Sequence, residues 1–325
     1  MSFYKNKKVL VAGGGGFVGS FLVEQLVKDG AKVSVCDLKP LSEQKNIKNV
    51  TKDISYTQID LTDKNEALKV TKNIDCVFAL AALVGGVEYN SKHPGFLFYS
   101  NILPNLQLLE ASRINNADRF LCVSSACVYP SDAPVPTPEE DGFKKEPEYT
   151  NRGYGWSKRV MELQSRFYHE EYGMKIAVVR PFNMYGPRDN FEPERSHVIP
   201  ALINKIMAAK DTIDVWGTGK STRAFLYVED AVRGMLLALE KYTVADPVNL
   251  GTCEEITIAN LVKLLIKLSK KDLKINFQTD KPEGQPRRNC DVVKAKRILG
   301  FETTVSLEEG LKTTMEWYKE HYGKR

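Results

Sequence analysis

The chain has 325 residues, of which 42% are hydrophobic and 27% charged, with a formal net charge of +5 at pH 7. Basic residues are scattered among acidic ones and form no stripe interleaved with aromatics, so a nucleic-acid partner is not expected. No apolar run is long enough to cross a bilayer, the polar N-terminus predicts no signal peptide, and the six cysteines lack paired spacing. We therefore expect a cytoplasmic protein that does not enter a membrane.

The first half of the chain alternates β-rich runs with amphipathic segments, a pattern that predicts a parallel, doubly wound sheet. The predicted strands are residues 8–12, 32–36, 56–59, 76–81 and 119–123, and the predicted helices are 20–29, 101–115, 200–209, 258–269 and 307–322. Beyond Pro187, helical runs are joined by loops rich in glycine, proline and charge. This predicts an α/β Rossmann domain at residues 1–182 and a smaller α/β substrate-binding lobe mainly at 183–325, with 223–245 returning to the sheet.

A glycine-rich turn lies between the first predicted strand and the first predicted helix. Gly13, Gly16 and Gly19 match a dinucleotide fingerprint, in which a pyrophosphate approaches main-chain amides that a Cβ would block. Asp37 ends the second strand, where a carboxylate binds the adenosine ribose and repels a 2′-phosphate, so NAD is favoured over NADP. Asp60-Leu61 follows the third strand and either contacts the adenine or forms only a turn.

Polar side chains suited to proton transfer follow the fifth strand. Tyr154 and Lys158 are four residues apart on one helical face, so the ammonium is expected to lower the pKa of the phenol. Such a tyrosine acts as a general base toward a substrate hydroxyl, and Ser125 would hold the same hydroxyl.

With the segment 180–187, these motifs resemble the extended short-chain dehydrogenase/reductases, in particular the NAD-dependent nucleotide-sugar epimerases, over nearly the whole chain. The resemblance implies an enzyme that oxidises a nucleotide-activated sugar, and a homodimer formed through helices 94–115 and 154–172. Further cofactor contacts are implied for Phe17, Val18, Ala81, Lys158 and Pro181.

Two groups within that family are more similar still. Residues 82–86, 127–130 and 185–200 look like those of GDP-fucose synthases, and residues 124–127 and 282–288 look like those of GDP-mannose 3,5-epimerases. Both groups exchange protons beside a C4 keto group with a cysteine and a second residue, a histidine in the synthases and a lysine in the epimerases. The resemblance therefore implies that Cys127 and His197 are an acid/base pair acting at C3 and C5.

Other interpretations of these residues stay open. Cys127 is also compatible with a core thiol, and His197 with a helix cap or a surface imidazole, although these are the less favoured interpretations. Asp37 does not suit the NADPH of fucose synthases, and the lysine of the mannose epimerases is not evident here. A 4-epimerase, a 4-dehydrogenase and a fucose-synthase-like epimerase/reductase remain alternatives. A binding protein without chemistry is disfavoured because Ser125, Tyr154 and Lys158 are all present.

The expected nucleotide end of the substrate lies in the second half of the chain. Trp216 and Arg223 match the family's substrate-lobe motif, in which an aromatic face covers the base and a guanidinium takes the pyrophosphate. A GDP-sugar is favoured by resemblance alone, and no metal site is predicted. The substrate contacts implied are Gly85, Gly86, Asn183, Val198, Leu202, Lys205, Trp216, Arg223, Arg287 and Arg288.

Overall fold

The computed structural model describes residues 2–193, 195–281 and 284–323. The strands are β1 (Lys8–Ala12), β2 (Lys32–Asp37), β3 (Ile54–Gln58), β4 (Cys76–Ala79), β5 (Arg119–Val123), β6 (Lys175–Pro181), β7 (Met184–Tyr185), β8 (Thr212–Trp216), β9 (Thr222–Ala224), β10 (Leu226–Tyr227), β11 (Val244–Leu250), β12 (Glu255–Thr257), β13 (Lys274–Gln278) and β14 (Arg287–Arg288). The helices are α1 (Phe17–Lys28), α2 (Lys64–Val70), α3 (Val87–Lys92), α4 (Pro94–Ile114), α5 (Arg152–Tyr172), α6 (Val198–Ala208), α7 (Val228–Lys241), α8 (Ile258–Ser269) and α9 (Leu307–Tyr322).

Within the described residues, seven parallel strands form a central sheet in the order β11-β6-β5-β4-β1-β2-β3. Successive side chains of a strand point to opposite faces, so the apolar runs predict a sheet that is covered on both sides. Val9 and Val11 pack with α1 and α7 on one face, whereas Leu10 and Ala12 pack with α2, α4 and α5 on the other. The predicted doubly wound α/β fold is confirmed.

The predicted strand at residues 8–12, the strand at 119–123 and the helices at 258–269 and 307–322 have the bounds found in the structure. Differences occur at the ends of other elements. Helix α1 begins at Phe17 instead of residue 20, because the glycine turn leads directly into it with Gly16 as its N-cap. Helix α6 begins at Val198 instead of residue 200, which puts Pro200 in the first turn, where a missing N–H loses no helical bond.

A second core lies outside the central sheet. Helices α6, α8 and α9 pack with the parallel pair β8–β13 around this core, and a small sheet in the order β12-β9-β14 lies beside it. Helix α7 packs on the central sheet, and β11 pairs with β6 at its edge. In the described part of the chain, no helix combines the length and the apolar character needed to cross a membrane.

Candidate active site

The turn between β1 and α1 leaves no room for side chains. Gly13 has a φ of +78°, and a Cβ there would lie 2.8 Å from the amide nitrogen of Ala81. A Cβ on Gly19 would lie 2.2 Å from the carbonyl oxygen of Gly13. The first turn of α1, which includes Phe17 and Val18, receives no side-chain cap from Gly16. These amides form a cradle whose shape and positive helix end fit the pyrophosphate of a dinucleotide.

The other predicted cofactor residues lie near the carboxyl edge of the same sheet. Asp37 is the last residue of β2, and Pro181 is the last residue of β6. The Ile59 amide donates to the carbonyl oxygen of Asp37 at 3.0 Å, which brings the next turn beside it. In that turn Asp60 accepts a bond from the Thr62 amide at 2.9 Å and Leu61 is buried. Asp60 and Leu61 thus build the turn, and contact of either with the adenine stays a prediction.

Sequence reasoning missed a segment that crosses the glycine turn. A Cβ on Gly15 would lie only 1.8 Å from the side-chain oxygen of Gln44, so the Gln44 side chain fills the space beside this glycine. Asn46 donates to the carbonyl oxygen of Gly15 at 3.3 Å, and Gln44 donates to the Tyr56 hydroxyl at 3.0 Å. These side chains hold the turn from outside the fingerprint, and no pattern in the sequence indicates their partners.

The predicted proton-transfer residues meet beyond the end of β5. Ser125 accepts a bond from the Cys127 amide at 3.1 Å and caps a short turn. A Cβ on Gly155 would lie 2.4 Å from the carbonyl oxygen of Cys127, so this turn touches the first turn of α5. Tyr154 is buried in that helix turn. The structure thus brings Ser125, Cys127 and Tyr154 into one cluster.

Burial sets the protonation of Tyr154 and Lys158. It raises the pKa of the phenol above its usual range; a charge on Cys127 would add to the rise, and the Ser125 hydroxyl opposes it. Burial also lowers the pKa of Lys158 to about 8. The Lys158 Nζ donates to the carbonyl oxygen of Val123 at 2.8 Å and lies 5.5 Å from the centre of the Tyr154 ring. The predicted lowering of the phenol's pKa by the ammonium is not found in this structure, because burial raises that pKa and Lys158 is not among the groups that shift it.

A buried polar network that sequence reasoning missed lies against this cluster. Arg180 donates to both carboxylate oxygens of Glu162, at 2.9 and 2.6 Å, and to the Tyr129 hydroxyl at 2.9 Å. Tyr129 in turn donates to Asn249 at 2.6 Å, and Ser124 donates to Glu162. The network joins β5, β6, β11 and α5, and so fixes the elements that carry Ser125 and Tyr154. In the sequence Glu162 is a single carboxylate on a helix, and no pattern indicates that it pairs with Arg180.

His197 is held by different neighbours. It is the N-cap of α6, its side chain is 45% exposed, and its Nδ1 lies 3.7 Å from Oδ1 of Asp189. The surrounding protein disfavours the charged imidazole, but Asp189 outweighs this effect and raises the pKa of His197. A Cβ on Gly86 would lie 2.9 Å from the carbonyl oxygen of Ser196, so the loop with Gly85 and Gly86 touches the segment that leads to His197.

The three predicted arginines divide into two roles. Arg223 of β9 and Arg288 of β14 are register partners, so their side chains share one face of the small sheet. Nη2 of Arg288 lies 3.7 Å from Sγ of Cys127. Arg287 instead pairs with Glu255 at 2.6 Å, and their hydrogen bonds lower the pKa of Glu255 to about 2. Arg288, and not Arg287, therefore faces the cluster that contains Cys127.

The remaining predicted substrate residues are more dispersed. Trp216 is 46% exposed, with the Lys205 ammonium 5.7 Å from its ring centre. Val198 is exposed at the start of α6, whereas Leu202 is buried in the second core. Asn183 donates to the carbonyl oxygen of Ala224 at 2.8 Å, so the turn after β6 is bonded to strand β9 of the small sheet. Some residues of the segments that resemble GDP-sugar enzymes lie outside the described residues: Glu194 in the segment 185–200, and Pro282 and Glu283 in the segment 282–288.

Residues 9–251 match the model of the NAD dependent epimerase/dehydratase family. The chain belongs to this family. The protein is therefore an enzyme, and the predicted cofactor NAD is confirmed, in agreement with a glycine cradle that a Cβ would fill. Within the described residues, no group of three or more His, Cys, Asp and Glu side chains is arranged to hold a metal ion.

Curated relatives and solved structures cover nearly the whole chain. A GDP-mannose 3,5-epimerase 1 from Oryza sativa subsp. indica is 31% identical over 98% of this chain and 83% of its own length. A GDP-L-fucose synthase 1 from Arabidopsis thaliana is 32% identical over 97% of this chain and 94% of its own. The structure of a UDP-glucose 4-epimerase from Thermotoga maritima, with UDP-glucose, matches with a TM-score of 0.86 and 31% identity, over 96% of this chain and 99% of that one.

Proposed function

We propose that this enzyme is an NAD-dependent epimerase of a GDP-sugar of the GDP-mannose type, which oxidises C4 transiently and exchanges protons at C3 and C5. The observation that carries the proposal is the cluster of Ser125, Cys127 and Tyr154, with the Arg288 guanidinium 3.7 Å from the Cys127 sulfur. A nucleotide sugar as the substrate is supported by the names of the relatives, which act as epimerases or synthases on such sugars.

The first step is oxidation at C4. Tyr154 acts as the phenolate: its own proton passes to Lys158 in its neutral form, and the phenolate then accepts the proton of the C4 hydroxyl, which Ser125 holds in place. The glycine cradle of Gly13, Gly16 and Gly19 would hold NAD, which would supply a hydride acceptor for C4 and a hydride donor at the end of the cycle. Because the pKa of Lys158 is about 8, this side chain is able to take up and release a proton near neutral pH.

The second step is proton exchange beside the new carbonyl. The C4 keto group acidifies the C–H bonds at C3 and C5, so a base removes a proton and the electron pair moves to the C4 oxygen as an enolate. Cys127, as a thiolate, is the base, and the Arg288 guanidinium is a favourable neighbour for negative charge on its sulfur. His197, as an imidazolium, returns a proton to the carbon from the other face, and both groups are then reset by solvent.

The nucleotide is proposed to bind at the small sheet and the start of the second core. Arg223 and Arg288 share a face and supply two positive charges for a diphosphate, which guanidinium groups recognise by paired hydrogen bonds. The half-exposed ring of Trp216 offers an aromatic surface for the base. Guanine is chosen because both curated relatives bear the names of GDP-sugar enzymes.

A cytoplasmic homodimer completes the proposal. Helices α4 and α5 pack together on one face of the sheet and expose Phe96, Tyr99 and Phe167, which are 54%, 63% and 49% exposed. Exposed large apolar rings on a pair of helices are typical of an association site. Molar mass from light scattering tests the dimer, and a monomer at micromolar concentration contradicts it.

The test of the proposed function is a substrate panel. The NAD-bound enzyme is incubated with GDP- and UDP-sugars, and each recovered sugar is examined by NMR. A change of configuration at C3 or C5 of a GDP-sugar without net cofactor reduction is the expected result. Inversion only at C4 would make the enzyme a 4-epimerase, accumulation of reduced cofactor a 4-dehydrogenase, and consumption of reduced cofactor an epimerase/reductase.

A further inference from the structure

Residues 186–197, which lead from β7 into α6, are anchored to two helices. Arg188 donates to Glu24 of α1 at 2.8 Å and to the Ser20 hydroxyl at 3.2 Å. The Phe191 ring packs against the α9 rings of Trp317 and Tyr318, with centres 5.7 and 5.1 Å away. Fixed in this way at Arg188 and Phe191, the segment gives the side chain between them, Asp189, a defined place.

Asp189 has surroundings that its local contacts do not explain. Its side chain is 3% exposed, and Oδ1 accepts a bond from the Asn190 amide at 2.7 Å. Oδ2 is buried and has no hydrogen-bond partner among the described residues. A buried carboxylate with an unmatched oxygen is unfavourable unless a positive or proton-donating group faces it. The imidazole of His197 lies beside this carboxylate, with Nδ1 at 3.7 Å from its other oxygen, Oδ1, so among the side-chain contacts of the described residues the proton-donating group nearest to the buried charge is that of His197.

We propose that Asp189 is a positioning residue for His197: its ionised carboxylate faces the Nδ1–H group as a hydrogen-bond acceptor, orients the ring, and leaves Nε2 to exchange protons with the sugar. This inference rests on the proposed function, because it gives His197 its reactive state. The division of labour is that of a carboxylate–histidine pair, in which the acid stays ionised and the imidazole carries the proton.

Among the described residues, Asp189 is the charged group that shifts the pKa of His197, and neighbouring charges are engaged by other partners. The Arg195 guanidinium lies 4.9 Å from the centre of the Tyr89 ring. On the neighbouring α3, Glu88 and Lys92 bond to each other at 2.7 Å. Because Asp189 raises the pKa of His197, the imidazolium persists to higher pH and is lost only as the pH rises through that raised value. Proton donation by His197 should therefore extend toward basic pH in the wild type.

The direct test is the titration of His197 by NMR of labelled imidazoles, with H197N used to assign its signal among the four histidines. Asp189→Asn keeps the shape but removes the charge that raises the pKa of His197, so this pKa should fall. Asp189→Glu should keep most of the rise and serves as the second variant if the Asn protein does not fold. Glu192→Gln removes an equal charge from an exposed position in the same loop and should leave the titration unchanged. An unaltered His197 pKa in folded Asp189→Asn overturns the proposal.

A kinetic readout separates positioning from damage to the fold. At pH 8, Asp189→Asn should reduce deuterium exchange from solvent into the sugar in proportion to the loss of imidazolium that the NMR titration measures, because the imidazolium is the proton donor. KM and the rate of C4 oxidation should be unchanged, and an equal loss of C4 oxidation would contradict a role through His197. If the wild type exchanges no carbon-bound proton, the proposed function fails, while the NMR titration still decides whether Asp189 controls His197.

Discussion

The glycine cradle and the proposed nucleotide-binding side of the site, which carries Arg223 and Arg288, are built in opposite ways. The cradle consists of main chain. The carbonyl oxygen of Gly13 would clash with a Cβ on Gly19, and the amide nitrogen of Ala81 would clash with a Cβ on Gly13. The nucleotide side consists of long side chains, such as Arg223 and Arg288, on the short strands of a small sheet. The difference implies that the cradle fails completely when one atom is added, whereas the nucleotide side weakens in steps as single charges are removed.

The largest effect is expected for Gly19→Ala. The added Cβ would lie 2.2 Å from the carbonyl oxygen of Gly13, so the turn or α1 must move and the NAD cradle is lost. We expect no measurable NAD binding by calorimetry and a loss of stability of about 3 kcal/mol. Gly95→Ala is the matched control, since a Cβ there meets no atom within 4 Å. NAD affinity equal to that of the wild type in Gly19→Ala would contradict a main-chain cradle.

Tyr154→Phe should come next, because it removes one proton acceptor and leaves the cradle intact. Hydride transfer should slow by about three orders of magnitude, the scale of general-base catalysis. The readout is the absorbance of reduced cofactor during a single turnover, with NAD binding measured in parallel. A rate of C4 oxidation equal to that of the wild type would mean that another group, such as Ser125 or Lys158, takes the hydroxyl proton.

Arg288→Ala and Arg287→Ala form a matched pair on adjacent residues of β14. Arg288 shares a face of the small sheet with Arg223, where the diphosphate is proposed to bind, so its loss should weaken GDP binding by about 2 kcal/mol, on the order of 30-fold. Arg287 is engaged by Glu255, so its loss should change GDP affinity little. Titration of each variant with GDP decides the matter. Equal losses would show that the small sheet does not separate the two guanidinium groups as the structure indicates.

The smallest effect is expected for Asp37→Ala. Removing this carboxylate takes away both a ribose contact and the repulsion of a 2′-phosphate, so the preference for NAD over NADP should narrow about tenfold. Asp53→Ala is the control, because it removes an equal charge from an exposed position just before β3, at the opposite end of that strand from Asp37. Competition of the two cofactors in calorimetry measures the ratio, and an unchanged preference in Asp37→Ala would remove Asp37 from cofactor selection.

The two regions also differ in how far the sequence predicts them. The glycine turn was predictable because each of its residues meets a local demand: Gly13 needs a positive φ, and Gly19 allows two segments to touch. Asp37 is the last residue of β2, where the strand pattern puts it. Local patterns fail where the decisive partner is distant in the chain. Gln44, which fills the space beside Gly15, and Glu162, which pairs with Arg180, are examples, because neither lies in a recognisable motif.

Side-chain roles at the nucleotide end were less predictable for the same reason. Arg287 and Arg288 are neighbours in the sequence, and only the pairing of β12, β9 and β14 decides that one meets Glu255 and the other meets Cys127. The spacing of Tyr154 and Lys158 correctly puts both on one helix, but spacing carries no information on burial. Burial is what raises one pKa and lowers the other.

The central claim, that Cys127 and His197 exchange protons at the carbons beside C4, is tested most directly by running the wild-type reaction in deuterated water. Mass spectrometry and NMR of the recovered GDP-sugar should reveal carbon-bound deuterium at C3 or C5. Cys127→Ser and His197→Asn should keep C4 oxidation, because Tyr154 is untouched, and each should lose that incorporation. C4 oxidation without any carbon-bound deuterium in the wild type would contradict the claim.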